Sequence, residues 1–386
     1  MVVFLANQFI GKQVATGGDI LFVEVLSRLS IKSVVIAPGQ VHSRIQLYSN
    51  NVEFIDSDPG NQSDSASSVF WAVATVWRYV KRSYFTYRWL KKNSNENTVI
   101  YLTGDFICNT LPLLFMKLNG VKYEKICANY FHRNPPPKNR PGNPYWVSYG
   151  SRLLQGISLK IIMKMAQNVF VLSEIGKSEL LNEGFDSKKI VVSGAGVNAE
   201  ILKYRVRSRL KSRFVYLGRL NITKGAFDLI KILSTLAKSN SNFECVFIGH
   251  GNDLEKQKLL SMATKVGLKD KIIIKGFVKE EEKLRLLASA TALAFCSKEE
   301  GYGIAVHEAL YLGVPVVCYD LPVLKSLFGK SRNIHFVPQK NQTLFAQELE
   351  CMLTQKAQGN EQFIEKDTAF LQTWDDVFEI QKTVFD

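Results

Sequence analysis

The sequence predicts an α/β protein built from two doubly wound parallel-sheet domains in tandem. Short apolar runs alternate with runs of helical period along both halves of the chain. The 386 residues exceed one ordinary core and suit two or three domains. Several apolar runs end in glycine-bearing turns that open a helix, the place where such sheets hold ligands.

In the first half, residues 2–6, 33–36, 52–55, 98–102, 125–129, 169–172 and 190–192 read as buried strands. Between the first two, Phe22, Val25, Leu26 and Leu29 recur at helical spacing. In the second half, residues 214–217, 245–248, 272–274, 292–296 and 314–318 repeat the scheme. The helices between them carry Leu229, Ile232, Leu233 and Leu236, then Leu284, Leu287 and Ala288. Such alternation predicts a parallel sheet with helices on both faces. The polar, basic stretch around 200–212 suggests a boundary that gives domains 1–205 and 206–386, with a ligand cleft between their strand C-termini. The last helix, about 368–386, is expected to pack back on the N-terminal domain.

With 46% hydrophobic and 22% charged residues, the chain reads as globular rather than disordered. It has no run of eighteen apolar residues, so no bilayer-spanning helix is expected. Residues 1–10 lack a basic leader and a small-residue cleavage site and read as a first strand, not a signal peptide. The six cysteines are scattered without a Cys-x-x-Cys pair. Free thiols in a reducing compartment follow, hence a cytoplasmic location. No His/Cys cluster has metal-ligand spacing, and Asp56-Ser57-Asp58 reads as a solvated loop, so no metal is expected. Net charge is +14, with +8 in residues 1–200 (22 basic, 14 acidic), +8 in 201–250 (10 and 2) and −4 in 351–386 (3 and 7). A basic front and an acidic tail point to an anionic partner.

Residues 299–309, EEGYGIAVHEA, carry the densest signal. Glu300 and Glu308 stand eight positions apart across a glycine-flanked turn between a strand and a helix. Gly301 and Gly303 allow a ligand close to the backbone. Glu308 would lie about five residues into the helix, roughly 7.5 Å along its axis. Two acceptors would then surround free N–H groups that favour an anion. A nucleotide-sugar, with hydroxyls at its ends and negative charge in its middle, suits that arrangement.

Upstream, YLGRLNITKGAFDLI (216–230) places Gly218, Arg219, Lys224 and Gly225 between a strand and a helix. Arg and Lys five apart at a helix start could cradle a diphosphate, the Arg as a planar fork and the Lys as a point charge. The plainer alternative is a solvated turn. Gly249-His250-Gly251 is a second strand-end glycine turn. Glu280, Glu281 and Glu282 open a helix, where they complement its dipole.

Together these segments resemble the glycosyltransferase family 4 pattern of the GT-B fold, over nearly all of residues 210–345 and more loosely the first half. The E-x7-E element with its EGYG core and the Arg219/Lys224 turn upstream carry the resemblance. It implies two Rossmann-like domains with an interdomain cleft. Arg219 and Lys224 would bind the donor diphosphate, Glu308 the ribose hydroxyls and Glu300 the donor sugar. Backbone at Phe277 and Val278 would face the base, and Ile304 and Ala305 would offer N–H groups near the phosphate or sugar. Gly218, Gly249, Gly301, Tyr302 and Gly303 complete the expected donor site. Cys296-Ser297 departs from the Pro-Ser frequent in the family. In the first half, Gly17 and Gly18 before a helix, with Asp19 as cap, resemble the family's first glycine loop, and 193–202 resembles its asparagine-glycine-valine signature. His132, after the strand 125–129, resembles the histidine that faces the donor sugar. Asp105 lies at another strand exit and could face the acceptor.

Residues 69–92 hold an apolar stripe, Val73, Val76, Trp77, Val80, Tyr84 and Tyr87, with six positive charges and no acid. Such a helix could lie on an anionic membrane surface, or its stripe could pack on the sheet while its charges face water. The resemblance implies a retaining, metal-independent hexosyltransferase without cofactor. It would use a UDP- or GDP-linked sugar and a glycan or lipid-linked acceptor at the membrane surface, with front-face attack by the acceptor hydroxyl. An inactive nucleotide-sugar binder, or an enzyme with a soluble small acceptor, is the alternative. Thr16-Gly17-Gly18 does not supply the Gly-x-Gly-x-x-Gly of a dinucleotide oxidoreductase, and no base-reading module marks a nucleic-acid partner.

Overall fold

The computed structural model describes residues 1–9, 17–45, 52–58, 69–139, 144–206, 212–357 and 370–385. Its contacts divide the chain into two units, Met1–Ala195 with Trp374–Asp386, and Gly196–Thr373.

In the first unit the order is β1 (Val2–Leu5), α1 (Gly17–Arg28), β2 (Ser33–Ala37), α2 (His42–Ile45), β3 (Val52–Asp56), α3 (Val69–Asn93), β4 (Val99–Leu102), α4 (Ile107–Leu118), β5 (Lys125–Tyr130), α5 (Tyr145–Met165), β6 (Asn168–Val171), α6 (Glu174–Asn182) and β7 (Ile190–Val192). The strands form one parallel sheet, β3-β2-β1-β4-β5-β6-β7, with Val3 opposite both Val34 and Ile100. Central strands such as β1 and β4 are buried on both faces, which is why they are unbroken Val/Ile/Leu/aromatic runs. Tyr87, Leu90, Leu113, Met116, Leu159 and Ile162 of α3–α5 cover one face. Phe22, Val23 and Leu26 of α1 cover the other. The strand order reverses between β1 and β4.

The second unit follows with β8 (Arg213–Leu217), α7 (Ala226–Leu236), β9 (Glu244–Ile248), α8 (Asp253–Lys265), β10 (Ile272–Gly276), α9 (Glu280–Ala288), β11 (Ala292–Phe295), α10 (Ile304–Tyr311), β12 (Val316–Tyr319), α11 (Pro322–Phe328), β13 (Ile334–Val337) and α12 (Gln342–Ala357). Its parallel sheet runs β10-β9-β8-β11-β12-β13, and the order reverses between β8 and β11. Strand β13 was not expected; it is only four residues long and is interrupted by His335, which bonds Glu348 at 3.1 Å. The chain then returns to the first unit as α13 (Trp374–Lys382). There Trp374 and Val377 are buried, and Gln381 is hydrogen-bonded to Tyr101 at 2.6 Å and to Ser193 at 3.0 Å.

Helix α3 corrects one expectation. Of the proposed stripe only Tyr87 is buried; Val73, Val76, Trp77, Val80 and Tyr84 are exposed. The inward side is instead Thr75, Arg82, Ser83, Thr86, Tyr87 and Leu90. Polar groups can take that side because each finds a partner. Arg82, 1% exposed, donates to the carbonyls of Asn7 and Phe9 and to Asp58 Oδ2 at 2.7 Å. Ser83 donates to Tyr79 O, and Thr86 Oγ1 accepts from Asn7. Arg82 is therefore an internal residue, not part of a charged outer face. The side chain of Trp71 lies outside the described residues. Among the described residues no helix is long and apolar enough to cross a membrane. Cys108, Cys127, Cys245, Cys296 and Cys318 are free and buried, and Cys351 is free and exposed.

Candidate active site

The second unit gathers its motif residues on the C-terminal edge of the sheet. The loops after β10, β9, β8 and β11 lie side by side in that order, and those after β8 and β11 flank the reversal of strand order. Ligands of open α/β sheets bind at such a crevice.

Backbone contacts lock these loops together. Gly218 N–H donates to Ile248 O at 3.0 Å, Leu220 N–H to His250 O at 2.8 Å and Gly249 N–H to Gly276 O at 2.8 Å. A Cβ on Gly225, whose φ is 75°, would stand 1.9 Å from Cys296 O. One on Gly249, with φ 141°, would stand 2.0 Å from Gly218 O. Both positions therefore demand glycine, because approach and backbone conformation each exclude a side chain. Beneath the β8 loop, the buried Tyr216 hydroxyl donates to Arg219 O at 2.6 Å and approaches Lys224 O at 3.2 Å. Asn221 Oδ1 accepts from Lys224 N–H at 2.9 Å. The Arg219–Lys224 turn is thus fixed from below, with the Arg219 side chain exposed above it.

Lys224 Nζ lies 2.6 Å from Glu300 Oε1 and donates to Glu299 O at 3.2 Å, so the two motifs meet in an ion pair. Glu300 is only 11% exposed. Gly303, at φ 99°, caps α10 and lets Ile304 and Ala305 begin the helix. Their N–H groups belong to the first turn, which has no intrahelical acceptor. Glu308 is the fifth residue of α10 and is bonded by Lys283 of α9 at 2.8 Å; Lys283 also bonds Glu280 at 2.7 Å. Burial pushes the Glu308 carboxyl above its usual range, and Lys283 opposes this. Burial works to lower Lys283, but Glu308 and Glu280 outweigh it and the ammonium is raised. Lys283 is the firmly charged partner.

The sequence reading missed Lys283. Its signal was the run KEEEK, of which only the three glutamates were read, as complements to the helix dipole. Phe277 is exposed and Val278 half-buried, just after Gly276, whose carbonyl accepts from Gly249, and on the segment that leads to Lys283. Tyr302 differs from expectation: its ring is buried edge-on to Phe328 at 5.7 Å, and its hydroxyl meets His307 Nδ1 at 3.1 Å. Its side chain supports the loop from within. Burial lowers His307 to about 4.

In the first unit, His132 and Asp105 lie just beyond β5 and β4. Gln155 of α5 joins them, donating from Nε2 to Asp105 Oδ2 at 2.7 Å and to His132 O at 2.9 Å. Its Oε1 accepts from Asn134 N–H at 2.8 Å and Arg133 Nη1 at 3.2 Å. Burial raises the Asp105 carboxyl, while Gln155 and His132 pull it back. Gln155 had no local sequence signal, since its partners are 21 to 50 residues away. Gly17 and Gly18 form the first turn of α1 instead of preceding it; residues 10–16 before them lie outside the described residues. Asp56 accepts from the Gly39 and Asp58 N–H groups, both at 2.8 Å, and Asp58 is taken by Arg82.

Residues 200–369 match the family described as "Glycosyl transferases group 1". The chain is 31% identical over 169 residues to a putative teichuronic acid biosynthesis glycosyltransferase, TuaC, of Bacillus subtilis (strain 168), covering 42% of this chain and 40% of that one. It is 26% identical over 117 residues to a GDP-mannose:cellobiosyl-diphosphopolyprenol alpha-mannosyltransferase of Xanthomonas oryzae pv. oryzae (strain PXO99A), covering 30% of this chain and 31% of the other. The matched stretches thus span about a third to a half of these relatives. Among solved structures, sucrose-phosphate synthase from Thermosynechococcus elongatus gives a TM-score of 0.78 at 13% identity, covering 100% of this chain and 98% of that one. Anabaena HepE in complex with UDP-glucose gives 0.75 at 13%, covering 100% and 99%. The fold is GT-B, two Rossmann-like parallel-sheet domains.

Proposed function

We propose that this chain is a retaining, metal-independent glycosyltransferase. It would move a hexose from a UDP- or GDP-linked donor to a hydroxyl of a glycan or lipid-linked acceptor at a membrane surface. The observation that carries the reading is the Lys224–Glu300 ion pair at the β8/β11 reversal, within the stretch that matches group 1 glycosyltransferases. The polyprenol-linked substrate in the name of one relative and the UDP-glucose in one structural neighbour support the acceptor and donor classes.

Arg219 and Lys224 offset the charge that grows on the leaving diphosphate, with the first-turn N–H groups of Ile304 and Ala305. Such contacts strengthen as the bond breaks and so act on turnover more than on ground-state binding. Glu308, held by Lys283, accepts from the ribose hydroxyls, and Glu300 accepts from the sugar. Glu300 orients the donor and forms no covalent bond to it. His132 and Asp105 present the polar groups of the first unit to sugar and acceptor.

Calorimetry with UDP, GDP and ADP identifies the base, and transfer assays with the matching sugars follow. Lys224→Ala is expected to lower turnover by about 100-fold or more, the scale for loss of one charge-stabilising donor. Full activity in that variant removes the assignment. Turnover that persists in a chelator, and a product with the donor's anomeric configuration by NMR, are the expected results for the finer points.

A further inference from the structure

We propose that the helical layer α3–α4–α5 of the first unit is a docking surface for an anionic lipid bilayer. The proposal deepens the lipid-linked acceptor reading, but its test does not depend on catalysis. The first observation is exposure. On α3, Val73, Trp77, Val80 and Tyr84 recur at three- and four-residue spacing and are 38–65% exposed. On α5, Tyr145, Tyr149, Leu153 and Ile157 recur every four residues and are 43–60% exposed, with Trp146 beside them. Both helices bury their opposite sides on the same sheet face, and α4 packs against each. A helix that buries one side and keeps a second apolar stripe has more apolar surface than its own fold uses.

The second observation is position. Arg82 is tied to the carbonyls of Asn7 and Phe9, just past the end of β1, and Gln155 to Asp105 and His132, just past β4 and β5. Helices α3 and α5 each run down from that edge. Counted from Arg82 and Gln155 toward the helix N-termini, residues 73 and 145 lie roughly 14 and 15 Å further along their helices, at 1.5 Å per residue. The exposed aromatic side chains surround the end of the unit that holds His132 and Asp105.

The third observation is charge. The three helices have 25, 12 and 21 residues, 58 together, and contain no Asp or Glu. At the chain's own frequency of 35 acids in 386 residues, about five would be expected among 58. Lys81, Arg88, Lys91, Lys92, Lys117, Lys160 and Lys164 are all exposed. An ordinary solvated face mixes both signs, and a nucleic-acid face needs no stripe of valine and leucine. Aromatic and aliphatic side chains within a purely cationic layer suit the boundary between lipid headgroups and acyl chains.

The test uses the full chain and vesicles of phosphatidylcholine, with and without phosphatidylglycerol. Trp77 and Trp146 are exposed on α3 and α5, whereas Trp89 is half-buried against the core and Trp374 is buried in α13, so lipid-dependent quenching of intrinsic fluorescence reports on this face. The expected results are flotation with anionic but not neutral vesicles, and quenching by brominated lipid. The surface variants Trp77→Ser/Tyr149→Ser and Lys81→Glu/Lys91→Glu/Lys92→Glu should each lower recovery at least fivefold. Lys238→Glu/Lys265→Glu, on the second unit, should leave it unchanged. Equal recovery in all variants, or no flotation, overturns the proposal. Self-association abolished by Trp77→Ser, without flotation, would instead assign the face to a second copy. Nucleotide binding, measured separately on the same wild-type sample, shows whether the donor reading stands when lipid binding does not.

Discussion

Lys283 and Glu308 form a part-buried pair, with side chains 16% and 13% exposed, whose members depend on each other unequally. Lys283 retains Glu280 if Glu308 is removed, whereas the Glu308 carboxylate has Lys283 as its ionic partner. Lys283→Met is therefore expected to destabilise by about 3–5 kcal/mol at neutral pH, the scale for leaving one buried charge uncompensated. The loss should shrink in acid. The folded carboxyl already titrates above its ordinary value, so protonation favours the folded state and stability is lost as pH rises through the folded pKa. Urea midpoints at pH 5 and pH 8 check this, and an equal deficit at both would contradict it. His307 has the opposite sign. Its folded pKa is about 4, against an ordinary imidazole value of 6.5, so folding releases its proton. Stability is lost as pH falls from 6.5 to 4, by up to about 3 kcal/mol. In His307→Gln that part of the acid slope should vanish from a series of unfolding curves; an unchanged slope would place the titration elsewhere.

At the scale of elements, the turn at Gly225 joins strand β8 to helix α7 by pressing on the β11 loop. Gly225→Ala meets both a left-handed φ and a 1.9 Å approach to Cys296 O. Gly120→Ala meets only the φ of 62°, with nothing within 4 Å. The second is expected to cost about 1–2 kcal/mol, as conformational strain alone, and to leave nucleotide affinity intact. The first should cost more and weaken nucleotide binding at least tenfold, because Lys224 moves with the turn; chemical denaturation and calorimetry on both variants separate the two effects. The same elements show what was legible in the chain. Buried parallel strands announce themselves as continuous apolar runs, and the Arg219/Lys224 and Glu300/Glu308 motifs are local, so sequence spacing reaches them. Strand β13 is short and holds a histidine, which hid it. Which way the α3 stripe points was left open between a membrane surface and the sheet, and no local pattern could decide it, because the inward Arg82 is satisfied by Asn7, Phe9 and Asp58. Contacts across 24 to 75 residues are not written in any local pattern. Gln155 escaped for the same reason, whereas Lys283 lay in a visible KEEEK run whose reach to Glu308, 25 residues on, was not visible.

At the scale of the whole molecule, the chain leaves the first unit at Ala195 and re-enters it at Trp374. Helix α13 packs on α1; its Trp374 and Val377 are buried, and Val384 just beyond it joins the cluster of Phe22, Val23 and Leu26. Removing residues 374–386 should uncover those contacts and leave Tyr101 without its Gln381 partner. At roughly 1.5–3 kcal/mol for each buried apolar side chain, several kcal/mol of stability would go with them. Differential scanning calorimetry should then show the first unit melting earlier while the second keeps its transition; a single unshifted transition would contradict this. During synthesis the same threading delays completion. A nascent chain that has emerged only to residue 373 carries all thirteen described strands, with α1 already on its sheet face but the contact of α1 with α13 still missing. The ribosome must deliver the entire later unit before α13 can reach α1, so the contact that completes the earlier unit forms only after the whole intervening unit has been made.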